Sequence, residues 1–318
     1  MKQTNQRVDF GKRELTFFRY ALPMRDGSVR EGALVCTEEM GWGEAAPLPG
    51  WSIETLDEVC LFLRNGTGEA PASVRCALEA ADAAAWPLHH ERVPANALLR
   101  GSEEEMLAQA RCALANGCDC LKIKTETIKA GMLREFLRSI LRDAPGGCRL
   151  RLDPNRAWGF DETLRVAESL ADLPISYIEE PLREPGRLPE LISKCSVPIA
   201  LDETLRDIRP RDMEIYKGVA ALVLKPTLMG GFAVCRQFAE AGSALGMLPV
   251  VSSCYESGVG IYALGRFAAS LPLATHAGLD TYSSLLADVL CERLDLSHFV
   301  FSADEPRPHV DKSRLLPF

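Results

Sequence analysis

The sequence predicts an α/β protein, a parallel (β/α) barrel preceded by a smaller α+β domain. Three observations predict it. From about residue 93, short apolar segments recur that each end in a polar or charged residue. Amphipathic stretches with apolar residues three and four apart lie between them, as helices require. The spacing from one terminal polar residue to the next stays between 23 and 29 residues from Lys124 to Ser252, which suits one strand plus one helix. About eight such units, joined by right-handed crossovers, favour a closed barrel over an open sheet.

The apolar segments are 95–99 (ANALL), 120–124 (CLKIK), 150–153 (LRLD), 176–179 (SYIE), 199–202 (IALD), 221–225 (ALVLK), 249–253 (PVVSS) and 275–280 (THAGLD). Helices are expected over 103–117, 161–173 and 231–246, among others. Residues 1–92 read differently. The run REGALVCTEEMGWGEAAPL predicts hairpin strands, and 52–66 and 73–86 predict helices. The proline-rich tail after about residue 290 lacks the repeating pattern and is expected to pack back on this first domain.

Composition narrows the function. With 47% hydrophobic and 25% charged residues the chain is an ordinary globular one. A formal charge of -8 and no basic cluster argue against a nucleic-acid partner. No stretch reaches the length of apolar residues that spans a bilayer, and the N-terminus has no apolar leader core, so a cytoplasmic location without a membrane partner is expected. Eleven scattered cysteines read as reduced core thiols. No glycine-rich phosphate loop follows any strand.

The informative charges are Lys122, Lys124, Asp153, Glu179, Asp202 and Lys225, all at the C-terminal ends of predicted strands. In a barrel those ends converge on one mouth, where barrel enzymes place their chemistry. Singly, each has a duller reading: Asp153 before Pro154 suits a turn, Glu179 a helix start and Asp202 an N-cap. Their coincidence at neighbouring strand ends favours function. Three carboxylates there would repel one another unless a cation sat among them, and an all-oxygen set favours Mg²⁺, or Mn²⁺, over zinc. Lysines on either side would face each other across that metal. A lysine is a base at neutral pH only if its pKa is lowered, which a metal, a second ammonium such as Lys122 and partial burial would do. The expected chemistry is removal of a proton from carbon beside a carboxylate, on a small-molecule carboxylate substrate. Ser252 and Ser253 suit hydrogen bonding to that carboxylate, whereas the five histidines read as structural or surface groups. Nothing in the sequence sets an oligomeric state.

The motifs KIK (122–124), RLDPNRAW (151–158), YIEEP (177–181), ALDET (200–204), LVLKPTLMGG (222–231) and VVSS (250–253) resemble, in order and spacing, the enolase superfamily in its muconate-cycloisomerase-like subgroup. GWGEAAPLPGWSIET (41–55) resembles the capping segment of those proteins. The resemblance implies a (β/α)7β-type modified TIM barrel over 93–289, with an N-terminal α+β capping domain over 1–92 completed by 290–318. It also implies that Asp153, Glu179 and Asp202 bind Mg²⁺, that Lys124 is the general acid and base, and that Lys225 stands on the opposite face. Asn155, Lys122, Ser252, Ser253, Gly278 and Trp51 are then expected on the substrate side, Trp51 as a cover. RLDPNRAW, KPTLMGG and AGLDT (277–281) tilt the expectation toward the dehydratases of the subgroup. An epimerase, racemase or cycloisomerase would use the same lysines, and a non-catalytic barrel would be expected to have lost one of these groups. The segment 22–33 is short for the mobile loop that closes many members of the superfamily.

Overall fold

The computed structural model describes residues 7–10, 13–37 and 41–318. Four antiparallel strands, β1 (Arg7–Phe10), β2 (Arg13–Pro23), β3 (Val29–Thr37) and β4 (Trp42–Ala45), form one sheet in that order. Residues 38–40, where the expected hairpin turns, lie outside the described residues. Helices α1 (Leu56–Asn65) and α2 (Ala72–Ala80) pack on the sheet. The alternating residues Leu15, Phe17, Ala33 and Val35 meet Val59, Leu63, Val74 and Ala77 in a separate small core, as period-two strands and period-3.6 helices must. Helix α1 begins where it does because Thr55 and Glu58 form a reciprocal capping box.

The second sheet is parallel. After β5 (Arg92–Pro94) come β6 (Ala97–Leu99), α3 (Glu103–Ala115), β7 (Cys120–Lys124), α4 (Ala130–Leu141), β8 (Arg149–Asp153), α5 (Phe160–Leu170), β9 (Ile175–Glu179), α6 (Leu188–Lys194) and β10 (Ile199–Leu201). Then follow β11 (Ala221–Leu224), α7 (Pro226–Met229), α8 (Phe232–Ala244), β12 (Leu248–Val251) and α9 (Gly258–Ala269). Strands β6 to β12 hydrogen-bond in strict sequence order. Between β10 and β11 the chain uses short 3-10 turns at Glu203–Arg206 and Pro210–Tyr216 in place of a full helix.

The eighth expected strand, 275–280, is present only as two single-residue bridges, Ala277 to Ala95 and Gly278 to Ser252. They close the sheet nevertheless: Asn96 N donates to the Ala277 carbonyl at 3.0 Å, and Gly278 N to the Val251 carbonyl at 2.8 Å. A Cβ on Gly278 would stand 2.7 Å from Ser252 Oγ, so a larger residue would push that side chain aside.

The tail strand β13 (Val300–Ser302) runs antiparallel to β5. Beyond it, Leu316 bridges Arg19 of β2 and the Phe318 ring lies 5.5 Å from that of Phe17. The two sheets are joined through Glu44. Its buried carboxylate accepts from Tyr20 Oη at 2.5 Å, Ser257 Oγ at 2.6 Å, Ser257 N at 2.9 Å and Gly260 N at 2.8 Å, at the start of α9. Burial pushes the Glu44 carboxyl up, against the pull of these donors and of the helix dipole. Glu44→Ala leaves those donors unsatisfied in a dry joint, and an unfolding titration is expected to show a loss of about 2–4 kcal/mol. A change under about 0.5 kcal/mol, the range of ordinary surface substitutions, would refute this role.

Candidate active site

Side chains alternate along a strand, so Lys122 and Lys124 of β7, Arg151 and Asp153 of β8, and Tyr177 and Glu179 of β9 share the inner face of the sheet. Asp202 follows β10 and Lys225 follows β11 directly, the first side chain buried and the second half-buried. Asp153, Glu179 and Asp202 are 1%, 0% and 4% exposed. Lys122 Nζ lies 2.9 Å from Asp153 and 2.7 Å from Glu179. Lys124 Nζ donates to Asp153 Oδ2 at 2.7 Å and Asn155 Oδ1 at 2.6 Å, and Lys225 Nζ donates to Asp202 Oδ2.

Three ammonium groups therefore interleave with three carboxylates. Burial alone would raise Asp153, but Lys122, Lys124 and Lys225 outweigh it and hold the carboxyl well below its usual range. Glu179 goes the other way, pushed up to about 7 by burial and by the Asp153 charge. Lys122 and Lys225 each sit between opposing influences. Burial does press both ammonium groups downward, yet the carboxylates outweigh it and hold them above the ordinary lysine value.

Among the described residues no three His, Cys, Asp or Glu side chains are drawn together as a finished metal cradle, because the lysines stand between the carboxylates. The donor set still fits a hard divalent cation. It is all oxygen, it spans neighbouring strand ends, and buried Glu179 Oε2 has no aligned hydrogen bond.

The loops at the mouth are braced by Glu180, which was not among the expected site residues. Its Oε1 accepts from Arg156 Nη2 at 2.6 Å and from Thr204 Oγ1, and its Oε2 from Asp202 N at 3.0 Å, so one carboxylate ties together the loops after β8, β9 and β10. The doubled acid before Pro181 is its only sequence signal. Asn155, Arg156 and Glu180 have φ of 46°, 59° and 39°. Left-handed backbone of this kind costs about 1–3 kcal/mol per residue and persists where the surroundings over-determine it. Here it brings Asn155 Oδ1 to Lys124. Asn155→Ala frees the lysine to wander and is expected to lower kcat by about 10–100-fold with the circular dichroism spectrum unchanged. Unaltered turnover would show that Asn155 does not position it.

A cavity of about 290 Å³ opens above this layer. Every residue expected on the substrate side lines it, namely Lys122, Asn155, Ser252, Ser253, Gly278 and Trp51, as do Lys124 and Lys225. The three carboxylates lie beneath, outside its lining. Ser253 Oγ also bonds within the protein, to the Gly278 carbonyl at 2.7 Å and Thr281 Oγ1 at 2.6 Å. Ser252 Oγ has no protein hydrogen bond among the described residues. The Trp51 ring stands at the rim, its centroid 5.9 Å from Lys225 Nζ, and Arg206 holds its carbonyl at 2.6 Å. None of the five histidines lines the cavity, and His276 pairs instead with Asp119 at 2.7 Å. The short 22–33 segment is a tight hairpin whose turn docks on 283–285, Met24 bridging Leu285 and Arg25 Nε donating to the Ser283 carbonyl at 2.7 Å. Arg100 and Tyr255 also line the cavity, and neither was singled out from the sequence.

No helix among the described residues is long and apolar enough to cross a membrane. Residues 105–306 match the family model for the enolase C-terminal domain-like fold. The o-succinylbenzoate synthase of Yersinia pseudotuberculosis serotype IB (strain PB1/+) is 31% identical over 305 residues, covering 87% of this chain and 93% of that protein. Among solved structures, the L-Ala-D/L-Glu epimerase from Bacillus subtilis superposes with a TM-score of 0.80 at 20% identity, covering 93% of this chain and 96% of that one. The muconate lactonizing enzyme from Pseudomonas fluorescens superposes with a TM-score of 0.82 at 16% identity, covering 94% and 96%. A closed parallel sheet carrying lysines and carboxylates at its strand ends, under an α+β cap, agrees with these matches, and the chain belongs to the enolase superfamily as a relative of the o-succinylbenzoate synthases.

Proposed function

We propose that this protein is an o-succinylbenzoate synthase, catalysing the syn dehydration of 2-succinyl-6-hydroxy-2,4-cyclohexadiene-1-carboxylate to 2-succinylbenzoate in menaquinone biosynthesis, in the cytoplasm. The observation that carries the reading is a cavity lined by Lys124 and Lys225 above three buried carboxylates. The 31% identity to a protein of that name supports the choice of reaction.

Asp153, Glu179 and Asp202 are the residues that would hold Mg²⁺. When bound, the ion supplies positive charge to the substrate carboxylate as the adjacent C–H bond breaks. Lys124 Nζ acts as the base that takes the proton from the ring carbon beside that carboxylate, and Asn155 fixes where the amine sits. The electron pair passes into the carboxylate, then returns to expel the neighbouring hydroxyl, to which Lys124 delivers the same proton. One water leaves and the ring becomes aromatic. Lys225 serves as an ammonium and stabilises the negative charge of the enediolate. Ser252 Oγ is the hydroxyl available to the substrate.

Absorbance-monitored turnover of the cyclohexadiene substrate with Mg²⁺ tests this directly, and its absence in the folded protein would sink the reading. Epimerisation or racemisation is the second reading, favoured by the presence of both lysines on the cavity wall. Such an enzyme would exchange the α-proton of a dipeptide or N-acylamino acid with solvent deuterium, and would lose that exchange on one face when either lysine is removed.

A further inference from the structure

We propose that Arg100 and Tyr255 form an anion subsite in this cavity, which takes a second carboxylate of the substrate, remote from the reacting carbon. The inference rests on the dehydration reading for the identity of the substrate, whose succinyl arm ends in such a group.

Arg100 follows β6 and Tyr255 follows β12, the two strands that flank the closing segment around Ala277 and Gly278. Both line the cavity that holds Lys124 and Lys225. Together with Leu48 of the cap they also line a neighbouring cavity of about 610 Å³ beneath the β2–β3 turn. The guanidinium therefore stands at the seam between the two, where an extended arm of a ligand would run.

Its partners set its charge state apart from that of the lysines. Lys122, Lys124 and Lys225 each rest on a carboxylate. Arg100 instead donates from Nη1 to Tyr255 Oη at 2.8 Å and from Nη2 to Ser284 Oγ at 2.9 Å, both uncharged. No carboxylate among the described residues forms an ion pair with it. Asp26 and Asp280 feel its field from farther away, and Asp280 Oδ2 is already occupied by Leu98 N at 2.8 Å. A guanidinium has five N–H donors in a planar fork, and its geometry matches a carboxylate in bidentate fashion. Two hydroxyls leave most of that capacity unspent.

The orientation is built in. The guanidinium carbon lies 5.5 Å from the centroid of the Tyr255 ring, stacked and bonded by the same residue. Tyr255 has φ of 63°, a left-handed backbone that a bulky aromatic residue adopts only under constraint. Arg30, buried in the cap, supplies that constraint by donating from Nε to the Tyr255 carbonyl at 3.1 Å and from its Nη atoms to the carbonyls of Ala46 and Pro47. Arg100 is thus a specificity-determining residue that selects dicarboxylates and leaves proton transfer to the lysines.

Calorimetric titration of the Mg²⁺-loaded protein tests it, with 2-succinylbenzoate compared against the derivative whose succinyl carboxylate is a carboxamide. An N-succinyl amino acid and its carboxamide form a second pair. The wild type is expected to prefer at least one dicarboxylate over its amide, and Arg100→Met to weaken that dicarboxylate by about 10–100-fold while binding the amide as before. Arg100→Lys should recover part of the preference. In turnover the loss should fall on KM more than on kcat. The subsite is overturned if the wild type prefers neither dicarboxylate, or if Arg100→Met keeps the preference at an unchanged melting temperature. Failure to turn over the cyclohexadiene substrate, with the preference for the N-succinyl compound intact, would sink the dehydration reading and leave the subsite standing.

Discussion

Lys124→Ala is expected to lower kcat by about 10³–10⁴-fold or more, with KM changed little, because one amine takes the proton and returns it to the leaving hydroxyl. Lys124→Arg should fare no better, since a guanidinium does not give up its proton at neutral pH. Lys225→Ala should also lose most of its turnover, through loss of a cation rather than loss of a base. The lysines can then be told apart by restoring charge: Lys225→Arg keeps a permanent cation and should retain more activity than Lys124→Arg. Initial rates with the cyclohexadiene substrate, and far-ultraviolet circular dichroism as a check on folding, decide it. A Lys124→Ala protein with more than about a tenth of wild-type kcat would place the base elsewhere, since removal of a positioned base costs on the order of 10²-fold or more.

Removal of divalent metal is the second large effect. Chelation with EDTA is expected to abolish turnover, and added Mg²⁺ to restore it. The same manipulation should reveal how the acidic layer is neutralised in the absence of metal. Lys122 sits between Asp153 and Glu179, at 2.9 and 2.7 Å, with about a tenth of its side chain exposed. Lys122→Met removes that ammonium and leaves two buried carboxylates facing each other. In EDTA the variant should lose about 3–5 kcal/mol of stability, the range for a buried pair stripped of one partner. Mg²⁺ should then raise the melting temperature of the variant by more than it raises that of the wild type. Equal melting temperatures for variant and wild type in EDTA would show that Lys122 does not neutralise this layer.

Much of this site was legible before any coordinates, for a physical reason. A strand places every second residue on one face, and a polar residue ending an apolar segment marks the edge of a barrel interior, so Lys124, Asp153, Glu179, Asp202 and Lys225 announced themselves by position alone. Lys122, Ser252 and Ser253 followed from the same edge, whereas Asn155, Gly278 and Trp51 were expected only from the family resemblance. What stayed hidden depends on distances between elements far apart in the chain. The eighth strand shrank to two bridges because it pairs only through Ala277 and Gly278. The internal use of the Ser253 hydroxyl required the positions of Gly278 and Thr281. The direction of the lysine shifts required knowing how many carboxylates surround each amine. Glu180 resembled its neighbour Glu179, and only the three loops it joins distinguish them. Arg100 belongs to no motif that marked it out, and its partner Tyr255 lies 155 residues further along.

The packing of the tail bears on the order in which the molecule assembles. Strand β2 finds its Leu316 bridge and its Phe318 ring contact about three hundred residues later in the chain. During synthesis from the N-terminus, the early sheet must wait beside a growing barrel with an apolar edge still uncovered. Contacts of such long sequence separation form late and slow the search for the native state. The barrel, whose strands pair with their immediate neighbours, is free to form first and serve as a template on which the cap is completed.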